Sequence, residues 1–401
     1  MDTLKNLYQE LCQTEDENKT CFYYSHISAQ DAKSFIKYYF EAGHKKLDED
    51  ILEKLSIMRF EHMRSAFLLG VYLYNELDSL RQKINNKIEE YKNKLKEQDL
   101  LAKKLCEDNL FPEEKGFYDR DTRKTFLYLW FITCLYHDVG YIYEESKNKD
   151  TQEYDKKYKI IKEEKYEEIC NNPLIMINNN IPCLFIKSYK QYFHVKLCSN
   201  DLGNNCIDHA IAGGLRLYEA LRKKHYEYIN PKNEHKKEMK SIFKNGICDL
   251  LWGPPIFDNF IIPCVENIIA HNIWFSLNNN DDEKYNQLGL EALIIPKDDN
   301  GERKSPVTYK DYSLLFLLDL VDTIEPIKYW SRHFHFPDYT SIIDKTKIDI
   351  QRNIIKYSFE NFICCNVEEA YNNIKNNLEF LYSDSFRCDS YLDHLEMELI
   401  P

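Results

Sequence analysis

The sequence predicts an all-α protein, and three observations carry that expectation. Only 11 glycines and 12 prolines punctuate 401 residues. The apolar residues mostly recur at three and four positions, the spacing that lines one face of a helix and does not suit short strands. A hydrophobic content of 43% with 14% aromatics supplies enough apolar surface for one large core or two modest ones.

The elements follow in order. Residues 1–54 read as an N-terminal helical region. In "RFEHMRSAFLLGVYLYNEL", Ala66, Leu69, Leu73 and Leu77 follow His62 at helical spacing, which places His62 on the inward stripe. Glu76 to Asp108 is highly charged with a thin apolar seam, the pattern of a solvated helix or helical hairpin projecting from the core. Residues 125–138 form a short buried helix whose apolar run ends on His137 and Asp138. Adjacent helical residues point about 100° apart, so these two reach a shared point most easily at a helix terminus. Gly140 fits a chain leaving the helix there.

A polar insertion follows, within which 181–197 reads as a strand pair or a lid. "NNCIDHAIAGGLRLYEALRKKH" is helical, and Ala210, Ala212, Gly213 and Gly214 are small enough to let another helix approach closely. Residues 263–276 and 308–326 give two more apolar helices, carrying His271 and Asp322. Beyond them, "TSIIDKTKIDIQRNIIKYSFENF" and the residues that follow show helical periodicity and then alternating polar and apolar positions, read as a small accessory domain with Cys364 and Cys365 as core thiols. The expected division is 1–54, 55–335 with insertions at about 78–120 and 144–205, and 336–401.

The net charge of −13 makes a broad electropositive surface improbable and disfavours duplex nucleic acid as a partner. Thirteen cysteines form no CxxC pair, and Met1 is followed by a charged stretch and not a signal peptide, which points to reduced thiols in a cytoplasm. No segment reaches the roughly 18 to 20 apolar residues of a membrane span.

His62, His137, Asp138, His209, His271 and Asp322 all lie in or beside apolar helices. A lone inward histidine is ordinarily a hydrogen-bonded core residue. A carboxylate among leucines is costly unless paired or bound to metal, and Asp138 and Asp322 both raise that question. One divalent ion answers it for several residues together, because imidazole and carboxylate suit iron, manganese, zinc, cobalt or nickel, and helices deliver such ligands into a bundle core.

The order H…HD…H…H…D resembles the HD superfamily of metal-dependent phosphohydrolases over roughly residues 55 to 330. "LYHDVGY" is similar to that family's HD-x-G motif, "DHAIAGG" to its H-x-x-x-G helix, "IIAHN" to its later histidine and "LLFLLDLVDTIEP" to its closing aspartate helix. The tail "DLVDTIEPIKYW" is also similar to the A-D-x-I-E-P motif of HD-type diadenosine tetraphosphate hydrolases. Tyr141 stands in place of the lysine of the HD-I-G-K form, no GYP follows His271, and the Glu-Asp pair of alarmone hydrolases is absent after the HD.

The resemblance implies an HD-domain helical bundle with insertions and a C-terminal accessory region. It implies that His62, His137, Asp138 and Asp322 hold a first divalent ion, magnesium being a further candidate, and that His209 and His271 complete a second site bridged by Asp138. Asp138, His209 and His271 are then the candidate catalytic residues. Asp319, one turn before Asp322, is read as an acceptor that orients a ligating histidine or as a helix-surface residue. Arg59, Arg64, Lys328 and Arg332 are the candidate cations for substrate phosphate. The implied activity is hydrolysis of a phosphoester or phosphoanhydride bond in a nucleotide or related small substrate by metal-activated water. An HD-type nuclease acting on single strands and a non-catalytic nucleotide sensor are the alternatives, and a homo-oligomer is compatible with each.

Overall fold

The computed structural model describes residues 57–105, 122–141, six positions between 209 and 218, 260–272, 282–283, 286–287, 294–295, 297–328, 342, 345–359 and 367–401. The expected N-terminal region, the insertion at about 144–205, the 181–197 segment, Arg332 and the Cys364–Cys365 pair lie outside the described residues. Among the described residues the larger part is formed by α1 (Ile57–Glu76), α2 (Asp78–Leu105), α3 (Thr122–His137), α4 (Ile262–Ala270) and α5 (Ser313–Ile324). Among the described residues, no helix is long and apolar enough to cross a membrane.

Helix α1 is enclosed along the stripe that His62 heads, with Ala66, Leu69, Leu73 and the following Leu77 all fully buried. It packs closely on α3. The Trp130 indole lies across Gly70 and donates its Nε1–H to the Phe67 carbonyl at 3.0 Å. Tyr74 stacks on Phe126 with centroids 3.9 Å apart and donates its hydroxyl proton to Asn85 of α2 at 2.6 Å. The α2 seam is also part of this core. Leu80, Ile84, Ile88 and Tyr91, spaced four, four and three apart, are buried against the bundle, so the first half of α2 is no projecting arm. A thin seam suffices because the residues between it face water and carry the charge.

The all-α expectation holds for these helices and fails in the C-terminal region. There β1 (Thr346–Gln351), β2 (Ile354–Phe359), β3 (Phe386–Ser390) and β4 (Leu395–Leu399) form an antiparallel sheet in the order β1-β2-β4-β3. A sixth helix, α6 (Val367–Leu378), covers it with Ala370, Tyr371, Ile374 and Leu378 inward. The strands obey period two: Ile348, Ile355, Tyr357, Cys388, Leu395 and Met397 are buried while Lys347, Asp349, Lys356 and Arg387 are exposed. This is the alternation visible in "KIDIQ" and "FRCDS", which a three-and-four spacing cannot satisfy.

The sheet joins the helical core directly. Tyr72 of α1 donates to the Ile348 carbonyl at 3.2 Å, Phe316 of α5 meets Phe386 edge to face at 5.2 Å, and Tyr309 donates to the Ile400 carbonyl at 2.9 Å. Helix α5 is therefore backed by the sheet on one side and by α1, α2 and α4 on others.

The Gly70 contact gives a prediction. An alanine in a helix interior ordinarily gains about 1 kcal/mol over glycine. At Gly70 a Cβ would lie 2.2–2.4 Å from three indole atoms of Trp130, whose ring is buried and hydrogen-bonded. Gly70→Ala is expected to destabilise by about 1–3 kcal/mol, measured by denaturant unfolding.

Candidate metal centre

Three helix ends and one helix face converge, with the His209 segment, on a single buried point. His62 comes from the first half of α1, His137 is the last residue of α3, and Asp138 begins the turn that follows. His271 sits immediately after α4, its backbone N–H still bonded to the Asn267 carbonyl at 3.0 Å. Asp322 lies in the last turn of α5, and Glu325 caps that helix with an extended backbone before Pro326. His209 is helical and buried, as are Ala210, Gly213, Gly214, Leu217 and Tyr218.

The small residues bring the His209 segment in. A Cβ on Gly213 would lie 2.3 Å from the Tyr136 carbonyl, and one on Gly214 would meet Ile269 at 2.5 Å. Gly140 serves the same end. Its φ is not positive, so it makes no left-handed cap; instead a Cβ there would lie 1.9 Å from the His209 carbonyl oxygen. The glycine is required for backbone contact, which corrects the reason its place in the sequence suggests.

Within the centre, His62 Nε2 lies 3.0 Å from Asp322 Oδ1, 3.2 Å from His137 Nε2 and 3.5 Å from Asp138 Oδ2. His137 Nε2 is 3.4 Å from Asp322 Oδ1 and 3.6 Å from Asp138 Oδ1. On the other side, His209 Nε2 stands 3.8 Å from Asp138 Oδ1, and the His271 ring lies 5.3–5.4 Å from those of His209 and His137. These side chains form two groups able to hold a metal ion, His62 with His137, Asp138 and Asp322, and Asp138 with His209 and His271. Asp138 belongs to both.

The imidazoles are oriented from behind. His137 Nδ1–H donates to the Cys134 carbonyl at 2.7 Å and His271 Nδ1–H to the Ile268 carbonyl at 2.6 Å. A carbonyl can only accept, so each ring carries its proton on Nδ1 and turns the Nε2 lone pair inward. His62 Nδ1 donates to Glu325 Oε2 at 2.6 Å, with Glu325 itself fully buried and held by the backbone N–H groups of Ile327 and Lys328 at 3.0 and 2.9 Å. Glu325 is thus the orienting carboxylate. Asp319 does not fill that part: it is buried, its Oδ1 makes no hydrogen bond, and burial followed by the nearby Asp322 charge pushes its pKa well above the usual carboxylate range.

Burial dominates the electrostatics and is opposed by local charge. It would raise the Asp138 carboxyl, but His137, His62 and Lys328 overcome it and hold the group well below its ordinary range. Asp322 is held down likewise against burial, by Lys328 and by the neighbouring His137 and His62. Burial would depress His62, yet Glu325, Asp322 and Asp138 raise it to about 9. Burial keeps His271 below its ordinary value, with Asp322 pulling the other way.

A divalent cation fits this donor set. Asp138 Oδ1 and His271 Nε2 are enclosed and make no hydrogen bond within the protein, a cost that a coordinated ion removes. Mixed imidazole and carboxylate donors are those that first-row divalent ions take, and His62, His137 and His271 are each presented by a hydrogen-bonded Nδ1.

The structure brings all six expected ligands together, and two of the expected cations with them. Arg59 donates from Nη1 to Asp138 Oδ2 at 3.2 Å and lies 3.4 Å over the Tyr141 ring, which stacks on His209 at 4.0 Å. Lys328 Nζ contacts both oxygens of Asp322, at 2.6 and 2.5 Å. Arg64 is partly buried on α1, about 200° around the helix from His62. Sequence reasoning assigns no part to Glu325, although the "TIEP" motif contains it. Comparison with protein-family models, curated proteins and solved structures gives no match.

Two outcomes follow from the His62–Glu325 pair. In the ion-free protein His62 keeps its proton up to about pH 9, so its share of folding stability is present below its ordinary 6.5 and is lost as pH climbs through about 9. Metal capture must expel that proton, so apparent affinity rises with pH over the same interval. Calorimetry at pH 7.5 in buffers of different ionisation enthalpy is expected to record proton release. Glu325→Gln is expected to lower the His62 pKa, read by NMR, and to weaken metal binding by about 10- to 100-fold.

Proposed function

We propose that this chain is a metal-dependent phosphohydrolase that cleaves a phosphoester or phosphoanhydride bond in a nucleotide or related small phosphorylated substrate. The observation that carries this reading is the position of Asp138, one carboxylate shared by two His/Asp groups, with its Oδ1 and the His271 Nε2 enclosed and accepting no hydrogen bond. His62, His137, Asp138 and Asp322 would hold one ion, and Asp138, His209 and His271 a second. When bound, such ions supply a Lewis acid to phosphoryl oxygens and activate water for attack.

The chain's own residues supply the rest. Glu325 and the Cys134 and Ile268 carbonyls fix the tautomers of His62, His137 and His271, so none of these ligands rotates away during turnover. Arg59 keeps a permanent positive charge on Asp138 Oδ2. The side chains of His62, His137 and Asp138 are fully enclosed, while those of Asp322 and Lys328 are 15% and 17% exposed. Substrate approach from the Asp322–Lys328 side suits a phosphate end group better than the interior of a polymer, which favours the small-molecule reading over a nuclease.

The test is purified protein of measured metal content, challenged with nucleoside phosphates, cyclic nucleotides, dinucleoside polyphosphates and single-stranded DNA and RNA. Phosphate release from the small substrates is the expected result. Cleavage of nucleic acid alone would move the activity to a nuclease, and metal binding with no turnover would leave a sensor. Asp138→Ala is expected to abolish both metal retention and hydrolysis while the helical circular dichroism stays largely intact; full activity in that variant would remove the metallohydrolase reading. His271→Ala is expected to lower the number of ions bound per chain from two to one.

A further inference from the structure

Lys328 stands where an ion-binding residue must give way. Its ammonium contacts both oxygens of Asp322, and Asp322 Oδ1 is the atom that faces His62 Nε2 at 3.0 Å and His137 Nε2 at 3.4 Å. A dication held by His62, His137 and Asp322 would therefore share its carboxylate with the Lys328 ammonium a few ångströms away, which is strongly unfavourable in a partly buried setting.

The lysine can leave only by its side chain. Its backbone N–H is tied to Glu325 Oε2 at 2.9 Å, beside that of Ile327 on Oε1 at 3.0 Å, so the main chain at this point is clamped to the carboxylate that orients His62. Its side chain, in contrast, is at the solvent edge and carries a compact ammonium on a flexible stem. Arg59 has no such freedom. Its guanidinium is buried, bound to Asp138 and laid on the Tyr141 ring, itself stacked on His209. Of these two cations, Arg59 is enclosed and held by Asp138 and the Tyr141 ring, whereas Lys328 reaches Asp322 from a partly exposed position.

Resting on the metal-centre reading above, we propose that Lys328 is a charge-operated latch: its ammonium neutralises Asp322 in the ion-free protein, and an arriving phosphate anion draws it outward, leaving both Asp322 oxygens for metal. Phosphate and metal then bind with positive cooperativity, each increasing the affinity for the other by the same factor. The latch favours substrates that present a terminal or accessible phosphate group, since that group must reach the ammonium at the mouth.

The test measures Mn2+ dissociation constants at pH 8, at buffered free Mn2+, with and without inorganic phosphate, for the wild type and for Lys328→Met, Lys328→Gln and Lys328→Arg. Thermal melts of the ion-free proteins report whether each variant is folded, and the two neutral variants back each other. In the wild type, phosphate is expected to tighten Mn2+ binding by about 5- to 150-fold. The neutral variants are expected to bind Mn2+ more tightly than wild type without phosphate and to gain much less when it is added, whereas Lys328→Arg follows the wild type. Neutral variants that bind Mn2+ as weakly as wild type or more weakly, or that keep the full phosphate effect, overturn the latch while leaving the metal centre in place. Mn2+ binding by none of the four proteins overturns the metal-centre reading and the latch together.

Discussion

An ionised carboxylate enclosed on all sides needs positive charge brought to it, and the elements around Asp138 are arranged to bring it. Arg59 arrives from α1 and His137 from the preceding residue, while His62 and His209 approach its two oxygens from separate segments. Each of these side chains is itself costly to bury, and Glu325 and the Cys134 carbonyl help to satisfy His62 and His137 from behind. Removing one leaves its partners exposed to the full penalty of an unpaired buried charge, which is why such clusters fail as units. The bundle's apolar mass, from Leu69 and Leu73 through Ile132, Val265 and Leu318, closes water out and makes these interactions strong in both senses.

The second requirement is rigidity at helix ends. Three of the ligands sit at or just beyond a helix C-terminus, where backbone carbonyls have no helical partner. The carbonyls of Cys134 and Ile268 accept from His137 and His271 three residues on, so each terminus is bonded by the ligand it carries. Helix α5 ends differently, with the Glu325 carboxylate gathering two backbone N–H groups and the His62 ring. Secondary structure and donor orientation are thus set by the same hydrogen bonds. The C-terminal sheet contributes from a distance, since Phe386 packing on Phe316 backs the helix that presents Asp322.

The clustering of these histidines and aspartates is legible in the sequence because buried charge is conspicuous: such residues inside apolar helices demand a shared explanation, and the structure brings them together. Glu325 is not legible as an orienting group, because its partner His62 lies 263 positions away and "TIEP" reads locally as a helix stop. Asp319 shows the converse error, a buried acid beside the ligands that acts on none of the histidines by hydrogen bond. Periodicity cannot tell Arg59, three residues before His62, from an ordinary surface charge, and only the packing of α1 against the turn after α3 reveals its bond to Asp138. In the C-terminal region, α6 has the expected helical pattern, whereas "KIDIQRNIIKYSF" mixes paired and alternating apolar residues around its turn, and the antiparallel pairing of Ile350 with Ile355 decides the matter. The charged seam of α2 misleads for a different reason, since four well-spaced apolar residues are enough to dock a helix.

The contact between Gly140 and the His209 carbonyl also closes a ring in the chain. Gly140 and His209 are 69 positions apart in sequence, yet the turn after α3 and the His209 segment are held backbone to backbone beside the centre. A side chain larger than hydrogen at position 140 would therefore push the His209 backbone away and open the second group of candidate ligands, although it removes none of them.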